Sequence, residues 1–280
     1  MTVLVTGARG KVGRAVLERL HAAGRPVRAA SARPAELAVP AGVVGVELVL
    51  NRPATFAAAL EGVRQVFLYP EPAGIDAFTA AARAAGVEHV VLLSSSSVLA
   101  PGAESDPLGA HNLRVEQALA VSGLPTTLLR ADAFASNALG WCAAIGAGLP
   151  VELPYPEASL APVHPADVAD VAVAALSGPE LRGRAVTLTG GQRLTLREQV
   201  GVLADVLGRP VPVETVTRAE AERQLGRFMP APLVGSLLSF WAAASTTPAT
   251  IGDTTRTLLG VPERTFHQWA TEHAAAFTAG

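Results

Sequence analysis

The fold turns on the opening stretch Thr2-Val3-Leu4-Val5-Thr6-Gly7-Ala8-Arg9-Gly10-Lys11-Val12-Gly13. Its first five residues are a short apolar, β-branched run, the composition of a buried strand. The residues from Lys11 onward have helical periodicity, with Val12, Val16, Leu17 and Leu20 on one face. Between the two lie glycines spaced Gly-x-x-Gly-x-x-Gly. In such a strand-to-helix turn the glycines permit, in turn, a tight bend, a close backbone approach to a pyrophosphate, and close packing of helix on strand. The amides of the first helical turn then face an anion. Gly7, Gly10 and Gly13, with Arg9, Lys11 and Val12 between them, are therefore the candidate nucleotide loop.

Downstream, short Val- and Leu-rich runs alternate with alanine-rich amphipathic stretches, the rhythm of βαβ units feeding a parallel sheet. Strands are predicted near 2–6, 26–30, 43–50, 64–69, 89–95 and 125–130, with helices near 11–23, 53–61, 74–86 and 111–122. Gly24, Gly62, Gly86 and Gly123 stand where those helices end. The strands are apolar on both faces, as in a sheet covered by helices on both sides. The expected class is α/β, a Rossmann-type doubly wound parallel sheet with a smaller C-terminal substrate lobe.

From about residue 131 the rhythm changes, and Pro150, Pro154, Pro156, Pro162 and Pro165 break up a loop-rich stretch. Beyond it we expect a helix near 166–177, a strand near 184–189, a helix near 195–207, an extended piece at 211–216, and helices near 218–226, 230–244 and 263–278. The predicted division is 1–150 for nucleotide binding and 151–280 mainly for substrate, interleaved with the core rather than independent.

Composition removes several function classes. Half the residues are hydrophobic and 16% are charged, so the chain folds. Lysine plus arginine (22) nearly balance aspartate plus glutamate (24), without runs of like charge, which leaves nothing to attract nucleic acid or anionic lipid. Cys142 is the only cysteine, so neither an intramolecular disulfide nor a cysteine metal cluster is available, and no metal site is expected. The start does not read as a signal peptide, and no apolar run reaches membrane-spanning length; a cytoplasmic protein without membrane partners is expected. Monomer and homodimer both remain open.

The end of the second strand selects the cofactor: an acid about 20 residues beyond the glycines bonds a ribose 2′-hydroxyl, whereas arginine receives a 2′-phosphate. Ala29-Ala30-Ser31-Ala32-Arg33 offers no acid but a hydroxyl at Ser31 and a guanidinium at Arg33, with Arg9 as a second positive group. NADP(H) is favoured over NAD(H), which stays possible, as does the plain alternative that both arginines are solvated surface residues.

At this point the chain resembles the atypical short-chain dehydrogenases/reductases, in particular the NmrA-like NAD(P)-binding group. The resemblance runs through Thr6 to Gly13, the serines Ser94 to Ser97, Val115-Glu116-Gln117-Ala118-Leu119, Leu129-Arg130, Val163-His164-Pro165-Ala166-Asp167-Val168-Ala169, Thr187-Leu188-Thr189-Gly190, and Arg264-Thr265-Phe266-His267-Gln268-Trp269-Ala270. It implies that Ser94 also touches the cofactor and that Asn51 stands where the group commonly has an aspartate reaching the adenine amino group; the amide oxygen of Asn51 accepts the same bond. The resemblance also puts Ala32, not Arg33, at the usual arginine position, one residue short.

Short-chain dehydrogenases usually carry a Tyr and a Lys four residues apart, the lysine lowering the tyrosine pKa. Here Leu108 and Asn112 occupy those positions, and neither moves a proton. Candidate catalytic groups are then Ser95, at the mouth of the pocket, and His111, an imidazole one residue before the lost lysine. Ser96, Phe134, Asn137, Tyr155 and His164 are candidate substrate contacts, with a hydrogen-bonded scaffold role the rival reading for His164. Trp141, Phe228 and Trp241 are candidates for an apolar wall. The function expected is NADPH-dependent hydride transfer to a small activated carbonyl, enone or quinone without the Tyr-Lys pair. A non-catalytic NADP(H)-sensing regulator and a redox-neutral enzyme on the same fold are the alternatives.

Overall fold

The computed structural model describes residues 1–278. The predicted strands appear as β1 (Thr2–Val5), β2 (Val27–Ser31), β3 (Val44–Glu47), β4 (Val63–Leu68), β5 (His89–Ser95) and β6 (Thr126–Ala131). Between them run α1 (Lys11–Ala22), α2 (Phe56–Leu60), α3 (Ile75–Ala84) and α4 (Pro107–Ser122). After β6 come α5 (Cys142–Gly146), β7 (Val151–Leu153) and β8 (Ser159–Leu160), then α6 (Pro165–Ser177) and β9 (Ala185–Leu188). The remainder comprises β10 (Leu194–Thr195), α7 (Leu196–Leu207), β11 (Val213–Thr215), α8 (Arg218–Leu225), α9 (Ala231–Ala244), α10 (Thr254–Leu259) and α11 (Phe266–Glu272).

Seven strands form one sheet in the order β3-β2-β1-β4-β5-β6-β9, every neighbouring pair parallel. Successive strand residues point to opposite faces. Leu4, Val66, Leu68, Val90 and Leu92 pack on one face with Phe56 and Leu60 of α2, Ile75 and Phe78 of α3, and Val115 and Leu119 of α4. Val3, Val5, Phe67 and Val91 are equally buried and point to the other face. α1 and α6 pack against each other, and α6 also meets β4, β5 and β6. Arg19 of α1 and Asp170 of α6 form an ion pair along that contact. This is the Rossmann-type doubly wound sheet expected from the sequence. Its order reverses between β1 and β4, and such switch points bind ligands beyond the carboxyl ends of the strands.

The chain divides into two compact units: 1–105, 109–131 and 165–188 in the first, 106–108, 132–164 and 189 onward in the second. The first holds the seven-stranded sheet. The second contains a parallel pair β7–β11 and an antiparallel pair β8–β10. Its core is built on Leu153, Leu160, Leu196, Leu203, Phe266 and Trp269, with Val234 and Leu238 of α9 and Ala221 of α8 in a smaller cluster.

Gly24, Gly62, Gly86 and Gly123 all have positive φ, between 69° and 78°. Several expected bounds shift. The helix expected at 53–61 is a 3-10 turn, Pro53–Thr55, followed by α2, because Pro53 opens it and its N–H is absent anyway. α4 starts at Pro107 rather than 111, with the Asp106 carboxylate accepting the Leu108 N–H at 3.0 Å. The proline-rich stretch is not mere loop: it holds α5, β7 and β8, too short for a readable period. The helix expected at 263–278 begins at Phe266, where Thr265 and Gln268 form a capping box, and ends at Glu272 before a 3-10 turn. Among the described residues, no helix is long and apolar enough to cross a membrane.

Candidate functional site

The glycine loop is a closed turn. Gly7 has φ +61°, a conformation that costs a side-chain-bearing residue energy, and its carbonyl accepts the Gly10 N–H at 2.8 Å. A Cβ on Gly13 would stand 2.3 Å from that same oxygen, so helix and turn touch backbone to backbone. On Gly10 a Cβ would meet only the Gly7 oxygen, at 3.2 Å. Gly10 is the N-cap of α1 and no side chain caps the helix; the Arg14 N–H is the first to find a carbonyl within it, at Gly10. The amides of Lys11, Val12 and Gly13 are thus the helix-start donors that an anion takes up. Val12 is buried and contributes its backbone, while Lys11 is exposed.

Thr6 fastens this loop to the switch point. Its N–H and its hydroxyl both donate to the Phe67 carbonyl, and its Oγ1 accepts the Tyr69 N–H at 2.6 Å. Tyr69 therefore lies over the turn: a Cβ on Gly7 would be 2.9 Å from the Tyr69 Cβ and 3.2 Å from its ring. The residue is 52% exposed at the carboxyl end of β4. Tyr69 is not among the site residues expected from the sequence, since it lies outside the Tyr-Lys position; its place directly after β4 was the available signal.

Arg9 and Arg33 come together on a residue not expected at the site. Glu36 bridges them, 3.6 Å from Arg9 and 3.1 Å from Arg33. The stretch Ala29 to Arg33 holds no acid, as read from the sequence; the turn after it, Pro34–Glu36, brings the Glu36 carboxylate back to both arginines. Ser31 Oγ accepts the Arg33 N–H at 3.1 Å, which leaves its hydroxyl hydrogen to donate. Asn51 is exposed after β3, where Gly74 rides against the Leu50–Asn51 backbone so closely that a Cβ would lie 1.8 Å from the Leu50 oxygen.

Of the serines after β5, Ser94 is buried and donates to Glu116 at 2.5 Å. Glu116 in turn accepts from Nε and Nη2 of Arg130, at 3.0 and 2.7 Å. This bidentate pair holds the Arg130 guanidinium above its usual range, chiefly through the hydrogen bonds. Ser94 is thereby committed to tying β5, β6 and α4 together. Ser95 accepts the Ser97 N–H at 3.2 Å and keeps its own hydrogen; Ser96 comes next, half-buried, in the 3-10 turn. His111 Nε2 lies 3.1 Å from the Pro70 carbonyl, which only accepts, so the imidazole donates there from Nε2.

In the second unit, Phe134 forms an isolated parallel bridge with Val163, next to His164, and Asn137 returns its N–H to the Phe134 carbonyl. These three share one corner. His164 is buried, with Nε2 3.2 Å from Glu272, as a scaffold histidine would be. Tyr155 is half-buried against the unit's core, alongside Trp141 and Trp241. The Arg218 guanidinium is held above its usual range first by Tyr155 and then by Glu222. Phe228 is 85% exposed. Among the described residues, no three His, Cys, Asp or Glu side chains gather as a metal site.

The profile of the NAD(P)H-binding family matches residues 7–179. A (4-alkanoyl-5-oxo-2,5-dihydrofuran-3-yl)methyl phosphate reductase of Streptomyces griseus is 41% identical, over 98% of this chain and 99% of its own. An NAD(P)H azoreductase of Xenophilus azovorans is 32% identical, over 99% of each. Among solved structures, an NADPH-dependent quinone oxidoreductase of Escherichia coli complexed with NADPH superposes with TM-score 0.81 at 23% identity, covering 97% of this chain and 99% of that one.

Proposed function

We propose that this chain, which belongs to the NAD(P)H-binding family, is an NADPH-dependent reductase acting on a small carbonyl-conjugated acceptor, an enone or quinone. One observation carries the cofactor half of this reading: helix-start amides and two convergent arginines stand at one end of one sheet, the arginines already drawn onto an anion, Glu36. The residues fit the group. Lys11, Val12 and Gly13 offer amides to a pyrophosphate, Arg9 and Arg33 take a 2′-phosphate, Ser31 donates to it, and Asn51 accepts from the adenine. Tyr69 walls the turn. The bound dinucleotide supplies a hydride.

The acceptor half rests on what α4 lacks. With Leu108 and Asn112 in place of Tyr and Lys, the chain has no activated phenol there to hand a proton to an ordinary ketone. A conjugated acceptor needs less, because its developing charge sits on an oxygen that a hydroxyl or water satisfies. Ser95 retains a hydroxyl hydrogen for that oxygen, and Ser96 stands beside it. His111 spends its Nε2 hydrogen on the Pro70 carbonyl, which ties the start of α4 to that residue and leaves Nδ1 of the protonated ring, or water, to supply the proton. In the second unit, Phe134, Asn137, Tyr155 and His164 are the proposed substrate contacts. The Streptomyces relative, whose name describes a carbonyl-bearing dihydrofuran, supports an electron-poor alkene as the class to try first.

The test is NADPH oxidation by purified protein against quinones, enones, unsaturated lactones, imines and simple ketones, with deuterated NADPH to trace the hydride into product. Label on the carbon β to the carbonyl is the expected result. NADPH bound but unconsumed across the panel would defeat the reductase reading and leave the sensor.

A further inference from the structure

The carboxylate between Arg9 and Arg33 has a consequence for cofactor choice. Ser31 takes up the Arg33 N–H, and Pro34 opens a 3-10 turn, Pro34–Glu36, closed by the Glu36 N–H on the Arg33 carbonyl at 3.2 Å and the Leu37 N–H on the Pro34 carbonyl at 3.1 Å. That turn folds the chain back and delivers Glu36 to both guanidiniums, Oε1 to Arg33 and Oε2 to Arg9. The two cations are thereby half neutralised before any ligand arrives. A 2′-phosphate brings roughly −1.5 to −2 charge to the same two side chains, and meets a carboxylate already seated there. A bare 2′-hydroxyl has the opposite need, an acceptor, and a carboxylate at the end of the second strand is the usual one.

Resting on the cofactor reading above, we infer that Glu36 sets the ratio of NADP(H) to NAD(H) binding. It competes with the 2′-phosphate for Arg9 and Arg33, and it accepts the 2′-hydroxyl hydrogen bond when no phosphate is present. The side chains of Arg9, Glu36 and Arg33 are 56%, 47% and 67% exposed, and ion pairs in such surroundings hold weakly. The phosphate, with more charge and three acceptor oxygens, displaces the carboxylate rather than being shut out by it. Both dinucleotides therefore bind, and Glu36 narrows the gap between them.

Glu36→Gln removes the charge and keeps the length. Calorimetric titration of the full chain with NADPH, NADH and adenosine 2′,5′-bisphosphate reads the effect without turnover. In Glu36→Gln, Kd for NADPH and for the bisphosphate should fall about fivefold, the worth of one contact charge pair in a water-exposed setting. Kd for NADH should rise or stay level. Arg33→Ala should weaken the bisphosphate and NADPH while sparing NADH. An unchanged NADPH-to-NADH ratio in Glu36→Gln, or an equal tightening of both dinucleotides, overturns the proposal while the cofactor reading stands. A parent protein that binds none of the three ligands defeats the cofactor reading, and the proposal with it.

Discussion

Gly13 and Gly10 are both motif glycines, yet the structure predicts opposite failures when each is replaced by alanine. In Gly13→Ala the new Cβ lies 2.3 Å from the Gly7 oxygen, 2.8 Å from the Gly7 carbon and 3.1 Å from the Thr6 oxygen. The first distance is roughly 1 Å short of ordinary contact, and all three neighbours are backbone, so the turn itself must open. Overpacking of that kind costs about 1–3 kcal/mol. Moving the Gly7 carbonyl also strains the bond it accepts from Gly10, about 1 kcal/mol more. The sum, about 2–4 kcal/mol, lowers the midpoint of thermal unfolding by roughly 4–15 °C for a folding unit of this size. In Gly10→Ala the Cβ meets only the Gly7 oxygen at 3.2 Å, and φ is −77°, which alanine adopts freely. The lost N-cap preference and the reduced entropy of the unfolded chain nearly offset, so stability should stay within about 1 kcal/mol of the parent. The new methyl instead stands at the mouth of the helix-start amides, and NADPH affinity should fall at least tenfold. Thermal melts and calorimetric titration on both variants separate the two effects. A Gly13→Ala protein as stable as the parent, or a Gly10→Ala protein with normal NADPH affinity, would refute the assignment of one glycine to packing and the other to the ligand.

Two further outcomes concern buried polar groups. His89, at the start of β5, gives its Nε2 hydrogen to Thr127, whose own hydroxyl hydrogen goes to the Leu181 carbonyl, and burial with Arg182 nearby lowers its pKa from 6.5 to about 4. Between those values the unfolded chain binds the extra proton; the stability that neutral His89 contributes is complete above pH 6.5 and is lost as pH falls toward 4. His89→Asn should flatten that part of the stability–pH curve, by on the order of 2–3 kcal/mol, and an unchanged slope in urea melts would contradict the assignment. Glu116→Ala strands the Arg130 guanidinium and should cost about 3–5 kcal/mol, with Glu116→Leu/Arg130→Met recovering most of it; equal melts for the single and double variants would show that the pair is not what Ser94 and α4 rest on.

The large sheet was legible because its signals are local. Each strand is a run of four to seven mostly apolar residues, and the helices between them announce their ends with Gly24, Gly62, Gly86 and Gly123. The second unit is less legible for the complementary reason. β7, β8 and β10 have three, two and two residues, and no period can be seen in so few. They exist because distant segments pair with them: Val151 with Val213, Leu160 with Leu194. The start of α11 is a different case, since the Thr265–Gln268 capping box that sets it is a local pattern within the sequence and marks a boundary three residues beyond the expected one.

The site divides in the same way. Gly7, Gly10 and Gly13 declare themselves by spacing, because one turn bends and packs on the helix within seven residues. The charges around them do not, because their meaning depends on which side chains the turns bring back together. Arg9 and Arg33 are separated by 24 positions and meet only through Glu36, and Ser94, Glu116 and Arg130 meet across a strand and a helix. Reading Arg33 together with Arg9 favours the phosphorylated cofactor; the carboxylate three residues beyond Arg33 enters only through the turn that returns it to both. On the proposal above, cofactor choice is a balance of three exposed side chains rather than a property of one strand end. It follows that a single neutral substitution at Glu36 should shift the preference further than exchange of any uncharged residue from Ala29 to Ala32.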